Sequence, residues 1–332
     1  KVKNLYASFY GGKGPNVCFA GHTDVVPPGD EKEWHSEPFT PIVKNGILYG
    51  RGASDMKTAI AAFLVSSNKF LNSSKSFNGS ISFLLTADEE GDADYGTKTV
   101  VDWLINNNKK IDYCLVGEPT NPNTLGEMIK VGRRGSLNGE ITIKGKQGHV
   151  AYPEKCKNPI DDLLKVCSSL NEKLDEGSKT FQPSKLTITS IDVGNKVTNL
   201  VPNSVKLRFN VRFNDNFKSG DIIKIINNRL KSSNCNYDLK TKVSGESFFN
   251  FSEKLTDSIV EAIKKVTKTE PELSTSGGTS DARFISKICP VIEFGIVGKT
   301  MHQINENISV TDIEKLSEIY FLFLKNIFKD KF

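Results

Sequence analysis

No apolar stretch in this chain of 332 residues approaches the roughly 20 needed to cross a bilayer. The first residues also lack the basic, apolar and small-residue segments of a secretory signal, so a cytoplasmic protein with no membrane partner is expected. Basic residues do not gather in runs. A formal net charge of +5 is small for this length, which argues against nucleic acid as a partner and leaves room for an anionic small molecule. Cysteine is sparse and dispersed: Cys18, Cys114, Cys156, Cys167, Cys235 and Cys289 form no CxxC pair, which points to reduced structural thiols rather than a thiolate zinc or redox motif. Internal repeats and low-complexity tracts are absent as well.

What is present is an ordinary globular composition, 37% hydrophobic and 25% charged, in a chain long enough for two domains. Up to about residue 133, strand-like runs at 5–10, 16–20, 81–87 and 113–116 alternate with helical patterns at 58–70 and 97–106. That alternation implies an α/β fold with a mixed, mainly parallel sheet flanked by helices. Near residue 132 the texture changes. Alternating runs at 137–144, 186–191, 205–213 and 237–243, with helical patterns at 159–174 and 219–230, describe an α+β sandwich. After residue 245 the first pattern resumes, and its last helix, 311–328, has Thr311 and Glu314 placed as a capping box. The expected organisation is one domain formed by 1–134 and 248–332, interrupted by a second over 135–247.

Acids and histidines collect just after the apolar runs of the first domain, where α/β sheets hold their ligands. His22 and Asp24 lie on one side of an extended segment. A metal-bound imidazole donates its other N–H to a neighbour, and the Asp24 carboxylate or a backbone carbonyl is suited to accept it. Asp55 follows a Gly-Arg-Gly turn and precedes a helix; such an aspartate can cap the helix or bridge two cations. In Asp88-Glu89-Glu90 three adjacent acids repel one another unless cations or protons intervene. Glu90 is the candidate metal ligand there and Glu89 the candidate general base. Glu118 is held between Gly117 and Pro119, and His302 is one of 4 histidines in the chain. Imidazole and carboxylate together suit zinc or a neighbouring first-row metal.

These motifs resemble the dinuclear zinc aminoacylase and carboxypeptidase family, the M20-type metallopeptidases. The likeness runs through Gly21-His22-Thr23-Asp24, Gly50-Arg51-Gly52 to Lys57, Asp88-Glu89-Glu90-Gly91, Gly117-Glu118-Pro119 and Gly277-Gly278-Thr279-Ser280-Asp281-Ala282-Arg283, in the family's order. The resemblance implies two zinc ions, with cobalt or manganese as substitutes. One would be held by His22 and Glu118, the other by Glu90 and His302, with Asp55 bridging, Asp24 orienting His22 and Glu89 moving the proton. It implies a cis peptide between Asp55 and Met56, and an inserted domain that serves as lid and dimerisation surface. His149, in Gly148-His149-Val150-Ala151, would reach the partner's site in a homodimer and stabilise the oxyanion.

Within the family the pattern is most similar to the members that remove succinate from N-succinyl-L,L-2,6-diaminopimelate in lysine synthesis. Arg133, Arg212 and Arg283 match carboxylate contacts of that branch, and Asn199, Gly278 and Thr279 match other substrate contacts. Each arginine taken alone would equally serve a surface salt bridge. Gly298 stands where that branch often has asparagine, a departure that weakens one expected contact. Acetylornithine or another acylamino acid is the alternative substrate, and a non-catalytic binding module the alternative of a different class.

Overall fold

The computed structural model describes residues 1–73 and 77–329, so the last three residues of the expected first domain, 330–332, lie outside the described residues. The chain divides into two compact units, one made of residues 1–132, 250–274 and 280–332, the other of 133–249 with 275–279. Residues 275–279 were expected with the first domain. They go with the second unit because the Thr275 hydroxyl donates to the Thr180 carbonyl (2.5 Å) and Arg133 Nη1 donates to the Ser276 carbonyl (3.2 Å). Gly277 sits there with φ +100, and a Cβ on it would come within 2.5 Å of Arg133 Nη1, so the turn requires glycine.

The first unit is built on a mixed sheet of seven strands in the order Leu5–Tyr10, Ser80–Thr86, Asn16–His22, Tyr113–Val116, Val291–Glu293, Met128–Lys130 and Glu272–Ser274. Strand Asn16–His22 runs parallel to both Ser80–Thr86 and Tyr113–Val116, whereas Leu5–Tyr10 is antiparallel on the edge. Near-continuous apolar runs suit strands covered on both faces. Val17 and Phe19 join a core with Phe63 of helix Thr58–Ser73, Ile259 of helix Glu253–Thr267 and Leu316 and Tyr320 of helix Val310–Ile327. Phe19 stacks on Phe63 with ring centroids 4.4 Å apart, and the buried Tyr320 hydroxyl donates to the Phe294 carbonyl at 2.7 Å. Cys18 and Ala20 alternate to the other face of the sheet. Helix Thr97–Asn106 packs on strand Ser80–Thr86, and Cys18 faces Cys114 across neighbouring strands.

The second unit holds an antiparallel sheet in the order Lys185–Asp192, Ser204–Phe213, Gly135–Lys144 and Tyr237–Gly245, with helices Pro159–Leu170 and Ser219–Ser232. Alternate residues Val205, Leu207, Phe209, Val211 and Phe213 are buried with Leu163, Val166, Ile222 and Ile226, so the period-two pattern of the strands turns one face to the helices. Gly139 allows Phe209 to cross the sheet, since a Cβ there would meet its ring at 2.0 Å.

Two local expectations fail. The last helix starts at Val310 with Ser309 in the cap position and no side-chain capping bond, because strand Asn307–Ser309 runs directly into it; Thr311 lies inside its first turn. The helix at 159 stops at Leu170, where the N–H of Asn171 closes onto the Cys167 and Ser169 carbonyls. A sheet formed by Asn307–Ser309, Ile47–Tyr49 and Ile42–Lys44 was not foreseen, its strands being only 3 residues each. Among the described residues no helix is long and apolar enough to cross a membrane.

Candidate metal centre

His22 closes strand Asn16–His22, and the parallel strands on either side bring Glu89 and Glu90 from one neighbour and Glu118 from the other to the same edge. Asp55 reaches that edge from a distorted turn at Ala53–Lys57, where it has φ −123 and ψ 96 before helix Thr58–Ser73 begins. The peptide between Asp55 and Met56 is cis. Beneath the site the fully buried Met56 side chain needs two glycines beside it. A Cβ on Gly21 would fall 2.8 Å, and one on Gly117 2.9 Å, from its terminal methyl. His302 arrives on a turn with φ +61, a left-handed conformation that a side chain adopts only when its surroundings hold it.

The two oxygens of Asp55 face different histidines. Oδ1 lies 3.1 Å from His22 Nε2 and Oδ2 lies 3.2 Å from His302 Nε2. Glu118 Oε1 stands 3.9 Å from His22 Nε2, and Glu90 Oε1 stands 2.9 Å from His302 Nε2. Two groups that could hold an ion follow, His22 with Asp55 and Glu118, and His302 with Asp55 and Glu90; a third joins His22, Glu89 and Glu90. Of the two acceptors expected for the His22 ring, the structure uses a backbone carbonyl. His22 Nδ1 meets the backbone carbonyl of Asp24 at 2.9 Å, while the Asp24 carboxylate is 3.7 Å away at Oδ1 and accepts the Glu90 N–H through Oδ2 at 3.1 Å.

The electrostatics betray surplus negative charge. Burial acts to lower the His22 pKa, yet the hydrogen bond to Asp55 and the carboxylates of Glu118 and Asp55 override it and push the ring up to about 11. His302 is raised to about 9, chiefly by its hydrogen bond to Asp55 and in spite of burial. Burial works against the Asp55 carboxylate, but hydrogen bonds to both histidines bring it down to about 2. Burial and then the Asp281 carboxylate raise Glu89 to about 8, and burial with Asp55 raises Glu118 well above the usual carboxylate range. Asp24 Oδ1 and Asp281 Oδ1 are buried and accept no hydrogen bond. Such a mixture of acids and imidazoles with uncompensated oxygens fits bound divalent cations.

The remaining expected residues are placed as follows. His149, Arg133, Asn199, Arg212, Gly278 and Thr279 belong to the second unit, and Arg283 to the first. His149 is exposed, and its Nδ1 accepts the Ala151 N–H at 3.1 Å, so the neutral ring carries its proton on Nε2. Arg283 donates to the Ser280 carbonyl at 3.1 Å and lies 4.5 Å from the Phe284 ring. Glu306 and Asp281 are buried acids of the first unit that are not among the expected site residues. Asp281 stands inside the Gly277 to Arg283 motif, which marks it in the sequence; it accepts the Thr97 hydroxyl at 2.6 Å, and Thr97 in turn meets Thr86 at 2.9 Å. Glu306 carried no sequence signal at all.

The model of peptidase family M20/M25/M40 matches residues 18–326. Succinyl-diaminopimelate desuccinylase of Pelagibacter ubique is 52% identical over 332 residues, covering 98% of this chain and 86% of the relative. The enzyme of the same name from Xanthobacter autotrophicus is 52% identical over 321 residues, covering 96% and 84%. Among solved structures, an M20 family metallo-carboxypeptidase from Sulfolobus solfataricus superposes with a TM-score of 0.81 at 20% identity, covering 98% of this chain and 89% of that one. A dinuclear metal binding peptidase of the M20 family from Bacillus subtilis gives 0.69 at 17% identity, with 98% and 84% covered. With its motifs, its sheet and nearly its whole length accounted for in this way, the chain belongs to peptidase family M20/M25/M40.

Proposed function

We propose that this chain is a metal-dependent amide hydrolase that converts N-succinyl-L,L-2,6-diaminopimelate and water to succinate and L,L-2,6-diaminopimelate, working as a cytoplasmic homodimer. The observation that carries the metal chemistry is Asp55, whose oxygens each face a separate histidine and acid. The relatives named succinyl-diaminopimelate desuccinylase at about half identity support the choice of substrate. His22 with Glu118, and His302 with Glu90, would each hold one ion, with Asp55 shared. Zinc is the metal this donor set suits best, with cobalt or manganese able to replace it.

When bound, the ions would polarise the amide carbonyl and make water more acidic. Glu89 stands beside the candidate ligand Glu90, in a group with His22, and it is the group that takes the proton from the attacking water. The same carboxyl group then protonates the departing amine, so the proton is passed on and Glu89 is restored. Asp24 holds the His22 ring through its carbonyl and the Glu90 backbone through its carboxylate, fixing one residue of each ion pocket. His149, with its proton on Nε2, would donate to the oxyanion from the partner subunit. Arg133, Arg212 and Arg283 would receive substrate carboxylates, with Asn199, Gly278 and Thr279 completing the contacts.

Turnover of succinyl-diaminopimelate compared with acetylornithine by the purified, zinc-supplemented protein decides the substrate. Preference for the succinyl compound is expected, and faster cleavage of acetylornithine would overturn the assignment. A protein with no activity on either would stand as a binding module. Ion loading has its own signature. Near neutral pH both His22 and His302 are protonated in the ion-free chain, since their pKa values of about 11 and about 9 lie above it. A ligating imidazole must be neutral, so loading should expel protons and affinity for Zn2+ should rise with pH. Calorimetry in buffers of different ionisation enthalpy reads this directly, and a loading enthalpy independent of buffer would show that the ion-free chain does not hold these imidazoles protonated.

A further inference from the structure

One buried ion pair outside the metal cluster ties together three of the segments that carry its candidate ligands. Arg51 Nη1 donates to Glu306 Oε2 at 2.7 Å, and their side chains are only 2% and 1% exposed. The Glu306 carboxylate also accepts the backbone N–H groups of Gly52 at 3.0 Å, Ser54 at 2.7 Å and Asp55 at 3.0 Å. The Glu306 carbonyl accepts the N–H of Gly50 at 3.0 Å, so both ends of the turn that presents Asp55 are pinned to one residue. Arg51 Nη2 reaches the Pro27 carbonyl at 3.2 Å, on the segment that follows His22 and Asp24, and its guanidinium lies 5.3 Å from the Trp34 ring. Glu306 itself sits four residues after His302.

We propose that Glu306, with Arg51, is the positioning element that holds Asp55 between His22 and His302 at the spacing two cations need. This rests on the metal reading above. Three backbone N–H groups converge where no strand or regular helix satisfies them, and a carboxylate can accept from all three while an amide cannot. Glutamine would turn an N–H donor toward either Arg51 or the turn, leaving donors opposed in a dry site. Arg51 cancels the charge of Glu306, so the clasp organises the turn without deepening the negative field around Asp55. The planar guanidinium supplies the second arm to Pro27 that a lysine ammonium cannot supply in the same geometry.

Zn2+ titration of the full chain against a chromophoric chelator, together with thermal melting of the ion-free protein, tests this with Glu306→Gln and Arg51→Lys. For Glu306→Gln the Zn2+ affinity is expected to fall about 10- to 100-fold, the usual consequence of disturbing a partner that orients a ligand, and kcat at saturating Zn2+ to fall more than KM changes. Arg51→Lys keeps the charge and should show the same pattern in smaller measure; it carries the test if the glutamine variant does not fold. As a reference, the core truncation Leu255→Ala should lower Tm and leave Zn2+ affinity alone. Variants that melt early yet bind Zn2+ as tightly as the unaltered chain would reduce the pair to a structural role and overturn the proposal. Failure of the unaltered chain to bind Zn2+ would instead remove the metal reading, and the clasp with it.

Discussion

Glu89→Gln is expected to lower kcat/KM by about 100- to 10,000-fold, the span associated with loss of a positioned general acid–base group, with metal content unchanged. Glutamine preserves the shape and polarity of the side chain but cannot accept and return a proton. The placement of Glu89 explains why it suits this task. Burial and the neighbouring Asp281 carboxylate disfavour its charged form and lift it to about 8 in the ion-free chain, while His22 and Arg283 pull the other way. Cations beside it would favour the carboxylate and bring it down toward neutrality. Steady-state kinetics with metal analysis of the same sample checks the expectation, and a variant with full activity would show that another group moves the proton.

His149→Ala should cost about 100- to 1,000-fold in kcat if its Nε2–H stabilises the oxyanion, as for other single donors of this kind. The distinguishing experiment mixes it with Glu89→Gln after reversible dissociation. In a mixed dimer the subunit with intact Glu89 receives an intact His149 from its partner, so activity should return to about a quarter of that of the unaltered protein on random reassortment. Two inactive proteins that stay inactive when mixed, although they exchange subunits, would place His149 in its own subunit's chemistry or outside it.

Much of this site could be read from local signals. The apolar run 16–20, the triple acid after 81–87 and the Gly-Glu-Pro after 113–116 mark strand ends, and parallel pairing does the rest by laying those ends side by side. Asp55 was ambiguous in sequence because the same position caps helices; in the fold its oxygens face His22 and His302. Glu306 was illegible for the opposite reason. Its partners lie 251 to 255 residues away, and nothing in Gln303-Ile304-Asn305-Glu306-Asn307 announces that its carboxylate is buried. The same holds for the turn at 275–279, whose bonds to Thr180 and Arg133 span 95 and 143 residues. Thr311 failed as a cap because the backbone enters the helix from a strand, a tertiary circumstance that a capping motif does not encode.

The cysteines give the two units separate voices in a labelling experiment. Cys18, Cys114 and Cys289 are buried in the first unit, whereas Cys156, Cys167 and Cys235 are only partly covered in the second. Burial first, then the proximity of Cys18, pushes the Cys114 thiol well up, so almost none of it is thiolate while the unit is closed. A thiol reagent should therefore modify the second unit's cysteines in the native protein and reach the first unit's only when that unit opens. Alkylation timed by mass spectrometry then becomes a clock for the opening of the metal-bearing half, running beside an internal standard carried by the other half of the same chain.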